Sequence, residues 1–333
     1  MATQDNLHPN LLDWMKRRDP NGKHARIVEL LDQTNDIVND MVVREANDTF
    51  GHRTVVRTGL STPTWRKFYQ VVQPSKSQTE SVVATPGMLE DLLVVDKALA
   101  DAENEPEEFM ASEMVAKWQG MAQEIASTSI YGNELTEPEA FSGLAAHYND
   151  AAAANAENII GSTSGNTSSI WLVGWGLDTT FGFFPKGSSA GMHMTDLGVE
   201  LAGATTGSGG GYVAYRKHLR WDLGLCVRDW RANCRILVNT STLTKNGASG
   251  GTGDDLIDLL TQAIEQVPQS ILNTAKMRFY ANRTVRSFLR RQIMNKVATS
   301  TLTMEQVAGK RVMMFDGIQF GRVDAILNTE NDI

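Results

Sequence analysis

Across residues 212–238 apolar side chains alternate with polar ones, and the phase of that alternation flips once. The odd positions Val213, Tyr215, Leu219, Trp221, Leu223, Leu225 and Val227 are apolar. Beyond Arg228 and Asp229 the apolar set moves to Trp230, Ala232, Cys234, Ile236 and Val238, and Arg231, Asn233 and Arg235 take the opposite face. A strand repeats every two residues, so a slip of one demands a bulge, bend or tight turn near Arg228. Without it half of the apolar set would face water. Ordinary strands run about five or six residues, so this segment predicts an extended strand system rather than a compact enzyme core.

Helical spacing predicts helices over residues 10–16 and 25–41, followed by short strands punctuated by Gly51, Gly59 and Pro63. A polar turn over residues 73–78 and a strand over 79–84 make residues 50–85 a long hairpin. It has too few large apolar residues to bury, so it is expected to lie on something else. Asn104 as N-cap, Pro106 in the first turn and Glu107 and Glu108 at the positive end of the dipole start a helix that runs to about Ile130. Met110, Met114, Trp118, Met121, Ala122, Ile125 and Ser129 form its apolar stripe.

Residues 145–165 read as a surface loop with a little helix, and strands are expected over 169–175 and 179–184. After glycine-rich links at 205–211 and 245–253, the C-terminal block alternates. A helix over 254–267, a strand over 276–281, a helix over 284–294 and strands over 310–315 and 320–327 predict a small α/β lobe of its own.

Charge and motif content exclude several function classes. A net charge of -8 argues against a chain whose main task is gripping phosphate. Gly247 to Gly253 lacks the Lys-Ser/Thr ending of a phosphate loop and is followed by Asp254 and Asp255, whose carboxylates would repel an anion, so it reads as a linker. The six histidines show no pair at metal-ligand spacing, and no nucleophile motif occurs. No catalytic, cofactor-binding or metal residue is therefore assigned.

The cysteines, Cys226 and Cys234, are expected as reduced, packed thiols. No signal peptide is expected, and no stretch approaches the roughly twenty apolar residues of a membrane span. Two basic features stand out: Arg53 and Arg57 on either side of Val55 in the hairpin, and Arg283, Arg286 and Arg290 on one helix face, with Arg291 beside them.

Several strings together resemble one family. They are Leu11-Leu12-Asp13-Trp14 with Asp19-Pro20; Arg57-Thr58-Gly59-Leu60; Pro74-Ser75-Lys76-Ser77; Asp96-Lys97-Ala98-Leu99-Ala100-Asp101; Pro185-Lys186-Gly187-Ser188; Tyr215-Arg216 through Trp221; and Val227-Arg228-Asp229-Trp230. Their order is similar to that in major capsid proteins of short-tailed, podovirus-like bacteriophages of the Bordetella podophage kind. The resemblance runs over about residues 11–240 and more faintly to the end.

It implies an α+β, Hong Kong 97-type capsid fold with an N-terminal arm and helices over 1–49 and an extended loop over 50–85. A peripheral domain over 86–244 would hold a spine helix at 106–130 and long strands at 212–238, and an axial domain would occupy 245–333. Because the long strands precede the axial block, a permuted order is implied.

The implied function is structural. Copies would assemble into hexamers and pentamers of an icosahedral head around double-stranded DNA, without sequence-specific DNA binding, without enzymatic activity and away from any membrane. The chain would be made in the host bacterial cytoplasm and end in the virion. Further partners are a separate scaffolding protein, a portal and a cement or decoration protein; the separate scaffold is expected because the first matched string lies so near the start.

Arg53, Arg57, Trp65, Lys76, Arg283, Arg286 and Arg290 are the candidate inter-subunit contacts. Lys67 and Lys76 read as ordinary exposed lysines rather than cross-linking groups. The alternatives are a non-viral encapsulating shell of the same fold or, with less support, a soluble enzyme with an unrecognised site.

Overall fold

A computed structural model describes residues 33–49, 51–101, 106–161, 166–202, 211–244, 255–295, 302–307 and 310–330. In chain order the elements begin with α1 (Asp36–Asp40), β1 (Val43–Glu45), β2 (His52–Gly59), β3 (Gln78–Ala84), β4 (Gly87–Asp96), α2 (Lys97–Asp101) and α3 (Pro106–Tyr131). They continue with α4 (Leu144–His147), β5 (Ile159–Gly161), β6 (Thr167–Trp175), β7 (Thr180–Phe184), β8 (Met192–Ala202), β9 (Tyr212–Val227) and β10 (Asn233–Asn239). The last are α5 (Leu256–Gln266), α6 (Gln269–Leu272), β11 (Lys276–Ala281), α7 (Arg283–Asn295), β12 (Leu302–Val307), β13 (Lys310–Phe315) and β14 (Ile318–Arg322).

Two compact units result, both discontinuous in sequence. Residues 88–125 and 191–222 belong to the first, and 34–87, 126–190 and 223–330 to the second.

In the first unit β9 pairs antiparallel with β8, from Met192 opposite Trp221 to Ala202 opposite Tyr212, and has β4 as a further neighbour. A bulge in β8 falls between Asp196 and Gly198, where glycine supplies a φ of 75°. Phe109, Met110, Met114 and Met121 of α3 cover Leu93 and Val95 of β4, Ala100 of α2 and Leu219 of β9. The expected methionine stripe is therefore a packing face. Trp118, at the stripe's margin, is 41% exposed, whereas Phe109, outside the stripe, is buried in the first turn.

In the second unit the sheet runs β12-β13-β14-β11-β6-β7 and continues to the last residues of β9. β10 also pairs antiparallel with β6, and β1 lies parallel to β7. All nine residues of β6 are buried, as a strand covered on both faces should be. Leu256, Leu260, Ala263 and Ile264 of α5, with Val285 and Leu289 of α7, close over Ile170, Leu172, Cys234, Ile236, Val238, Phe279 and Phe315.

Three expectations change. The phase flip is real, but it separates two strands rather than bending one. β9 ends at Val227, a 3-10 turn spans Trp230–Ala232, and β10 starts at Asn233. The Asp229 carboxylate accepts a hydrogen bond from the Arg231 N–H at 3.1 Å and caps that turn.

The C-terminal block is not a lobe of its own. β11 pairs antiparallel with β6, Lys276 opposite Trp175 through Tyr280 opposite Trp171, so its sheet needs residues far earlier in the chain. Finally, β14 stops at Arg322 rather than continuing to Leu327, because Arg322 and Asp324 turn to pair at 2.6 Å.

Of the predicted N-terminal helices, 10–16 lies outside the described residues, and of 25–41 only residues 33–41 are described, with α1 among them. The N-cap position Asn104 and the loop 247–253 also lie outside them.

Candidate interface surfaces

β2 and β3 form the predicted hairpin, His52 opposite Ala84 and Gly59 opposite Gln78, with a register slip between Arg57 and Gly59. Its root is anchored. The His52 ring meets Phe181 edge-on at 5.1 Å and Phe183 at 5.7 Å, and Ala84 packs on the cluster of Ala46, Phe181, Phe183 and Cys226. Burial, and then the nearby Arg44 and Arg228, hold the His52 imidazole below its usual range. Arg44 sits over the Phe181 ring at 5.1 Å.

Beyond the root no contact among the described residues covers the arm's tip. Trp65 is 100% exposed, Phe68 93% and Tyr69 106%. A local turn holds them out: the Gln70 N–H donates to the Lys67 carbonyl at 3.2 Å, and Tyr69 adopts a φ of 65°, uncommon for a residue with a side chain. Arg53, Val55 and Arg57 share the outward face of β2. Arg53 lies 3.8 Å from Asp48, and its backbone exchanges hydrogen bonds with the Asn47 amide at 2.7 and 2.8 Å. Lys76 is exposed.

The α7 arginines make a second surface. Arg283 lies 3.5 Å from Asp324, and Arg290 is exposed. Arg286 is partly buried, and burial, followed by the charges of Arg290 and Arg322, pulls its guanidinium below the ordinary range against the opposing pull of Asp36 and Asp324. Asp324 is itself held low: burial works to raise it, but the hydrogen bonds from Arg322 and from the Thr34 N–H prevail. Arg291 turns aside, over the Phe288 ring at 4.8 Å. The structure thus brings Arg283, Arg286 and Arg290 together, with Arg322 added. No contact among the described residues joins them to the hairpin set.

A sequence model of the family described as Major capsid protein GP7 matches residues 19–333. The chain belongs to the GP7 family of major capsid proteins. A chain of a near-atomic-resolution cryo-EM structure of bacteriophage Epsilon15 is 38% identical, with a TM-score of 0.79, and the match covers 100% of this chain and 99% of that one. The bacteriophage JBD30 capsid (8% identity, TM-score 0.48, 89% and 92% covered) and the capsid of Myoviridae phage XM1 (10%, 0.42, 65% and 97%) are looser matches. No curated protein matches the chain.

The fold is the mixed α+β, Hong Kong 97-like capsid fold. The protein is the major capsid protein of a tailed-phage head: a structural component of the virion that assembles with itself into a shell, not an enzyme.

Within this capsid subunit one predicted surface residue is a core residue. Arg235, expected on the polar face of the long strands, is 4% exposed. It pairs with Glu330 at 2.7 Å, donates to Ser169 Oγ at 2.9 Å and to the Tyr148 carbonyl at 2.8 Å, and lies 5.2 Å from the Trp171 ring centroid. Tyr131 donates to Glu330 at 2.5 Å, and burial together with the Glu330 charge pushes its hydroxyl far up. The partner carboxylate stands 95 residues away in sequence, so no local spacing could reveal this pair.

Both cysteines are buried free thiols, and burial pushes Cys226 up to about 11 and Cys234 up to about 12. Among the described residues there is no group of three or more His, Cys, Asp or Glu side chains that could hold a metal, and no helix is long and apolar enough to cross a membrane.

Proposed function

We propose that this capsid protein builds hexameric and pentameric capsomers of an icosahedral head around double-stranded DNA, with the hairpin of residues 50–85 lying over a neighbouring copy. The observation that carries this is the arm's uncovered aromatic set. Three aromatics burying roughly 150–250 Å² each, at about 25 cal/mol per Å², release on the order of 10 kcal/mol gross. That is comparable to the roughly 4–15 kcal/mol cost of association, so such an arm is useful only when a neighbour covers it. On this reading Arg53, Arg57, Trp65 and Lys76 contact that neighbour. Arg283, Arg286 and Arg290 face an acidic surface of another copy, consistent with the net charge of -8.

The first unit, with most of α3 as its spine helix, serves as the peripheral domain and the second as the axial domain carrying the arm. The chain alternates between the units, leaving the second for 88–125, returning at 126, leaving again for 191–222 and returning at 223. That alternation supports an ordinary re-entrant order in place of a permuted one. The resemblance to short-tailed phage capsids is what brings in the scaffolding protein, portal and cement protein as further partners. The acidic subunit lines packaged DNA without gripping it.

Expression followed by negative-stain microscopy tests the reading. The intact chain should yield capsomers or shells, and a chain lacking residues 60–77 should yield folded subunits that do not close into them. Normal shells from the shortened chain, at the same protein concentration, would sink it.

A further inference from the structure

Charge is segregated along this chain. From Ala126 to Pro185 there are six carboxylates and no Lys or Arg, whereas from Lys276 to Val323 there are ten Lys and Arg and only two carboxylates. Both stretches belong to the second unit. The first presents a loop at 133–140, and the second the arginine face of α7.

The loop is held in shape by its own backbone. The Asn133 carbonyl accepts from the N–H groups of Thr136 at 3.1 Å and Glu137 at 2.9 Å, its Oδ1 accepts from the Leu135 N–H at 3.0 Å, and the Gly143 N–H returns to the Gly132 carbonyl at 2.8 Å. Glu137 and Glu139 are exposed on it, and Leu135 is 89% exposed. No cation among the described residues pairs with Glu137 or Glu139. A loop already ordered in the free subunit gives up little freedom on docking.

On α7 it is Arg286 that lacks an anion. Among the described residues no carboxylate pairs with Arg286 or Arg290. Asp324 is engaged by Arg322 at 2.6 Å, and Asp36 accepts from the Arg322 N–H at 2.7 Å. Burial, and then the like charges of Arg290 and Arg322, work against the charged form of Arg286, so a carboxylate brought to it relieves a cost as well as adding an attraction. Residues 327 and 328 link the two surfaces: the Leu327 N–H donates to Tyr131 Oη at 2.9 Å, just ahead of the loop, and the Asn328 amide reaches Thr284 Oγ1 at 3.5 Å, beside Arg283. Loop and arginines therefore flank one segment without meeting within the copy.

We propose that the 133–140 loop of one copy docks on the α7 arginines of a second copy, with Glu137 and Glu139 set against Arg286 and Arg290. The proposal rests on the reading that these arginines face another copy, and it names the surface they meet. Complementary charge of this kind fixes register and suppresses wrong pairings. Every copy carries both halves, so the contact repeats around a ring of subunits.

Full-length protein carrying Arg290→Glu tests it, since Arg290 is exposed and the change leaves Arg286 in place. Arg290→Glu, Glu137→Lys and Glu139→Lys should each raise the protein concentration needed for assembly by about threefold to tenfold, as expected for interface charges. Denaturant unfolding of the unassembled subunits should stay at the parent's. Arg290→Glu combined with Glu137→Lys, or with Glu139→Lys, should recover most of the loss in at least one pairing. Defective single variants with recovery in neither pairing would overturn the loop as the partner and leave standing the reading that the arginines face another copy. Arg290→Glu shells that form at the parent's concentration would overturn both, and a lowered DNA content in those shells would assign the arginines to phosphate instead.

If the reversed charges prevent folding, the charge-conserving Arg290→Lys decides. A carbodiimide applied to particles assembled from mixed light- and heavy-isotope subunits should join residue 290 to Glu137 or Glu139 of a different copy, read by mass spectrometry of the peptides and absent from unassembled subunits. Links at other lysines with none at residue 290, or a link formed only within one copy, would overturn the proposal.

Discussion

The arm of residues 50–85 and the sheet around β6 spend their apolar side chains in opposite ways. In β6 every residue is buried, and Trp171 and Trp175 are among the largest side chains fully enclosed. In the arm, Trp65 is wholly exposed and two more aromatics stand beside it. The first region is stabilised by its own chain, and its contacts form when the subunit folds. On the proposed reading the second is covered only by a neighbouring copy, which would make its apolar surface a reserve of association energy rather than of folding energy.

The sharpest way to break that comparison is to damage each region and read both folding and assembly. Arg235→Ala leaves Glu330 buried without its partner and should destabilise the subunit by about 3–5 kcal/mol. Phe279→Ala, which opens a cavity beside Phe315 and Phe320, should cost a similar ~3–5 kcal/mol. Both are measured by denaturant unfolding of unassembled protein.

Trp65→Ala should leave that unfolding within about 0.5 kcal/mol of the parent, as a surface change does. It should still raise the concentration needed for assembly by roughly thirtyfold, as loss of an interface anchor worth about 2 kcal/mol does. If Trp65→Ala destabilised the isolated subunit as much as Phe279→Ala, the two regions would not differ in kind.

A smaller effect belongs to the root, where the regions meet. The His52 pKa is lowered from 6.5 in the fold, so between the folded value and 6.5 the unfolded state binds more protons than the folded one. The root is therefore fully stabilised above about 6.5 and loses stability as pH falls through that value toward the folded pKa. Amide hydrogen exchange of β2 near His52 should accelerate over that window, and His52→Phe should flatten the dependence. The smallest effect is expected at Arg283→Ala, which removes an exposed guanidinium 3.5 Å from Asp324, a carboxylate that Arg322 still pairs. It should change subunit stability by no more than about 0.5 kcal/mol.

How much could be read before the structure follows from the range of the interaction involved. The α3 helix, β11 and β13 were legible because first-turn chemistry, helical spacing and strand alternation act within a few residues. The break near Arg228 was legible for the same reason. β8 was not, since most of it is exposed and no buried face imposes an alternation on it. Nor was the buried role of Arg235, because an arginine on a strand reads as a surface residue until a carboxylate from the chain's last residues is brought beside it. Trp65 was legible as a contact candidate because it stands in a hairpin with too few apolar residues to bury it.

By itself the sequence determined the local alphabet of this subunit: a long helix, a polar hairpin short of core residues, a strand run that breaks once, and enough matched strings to point to a capsid family. Only the tertiary structure decided that β6, β10 and β11 share one sheet, that the C-terminal block has no sheet of its own, and which charges are buried. The physical reason is that strand pairing and ion-pair burial depend on the spatial convergence of distant segments. A hydrophobic pattern can say that a face must be covered, but not by what.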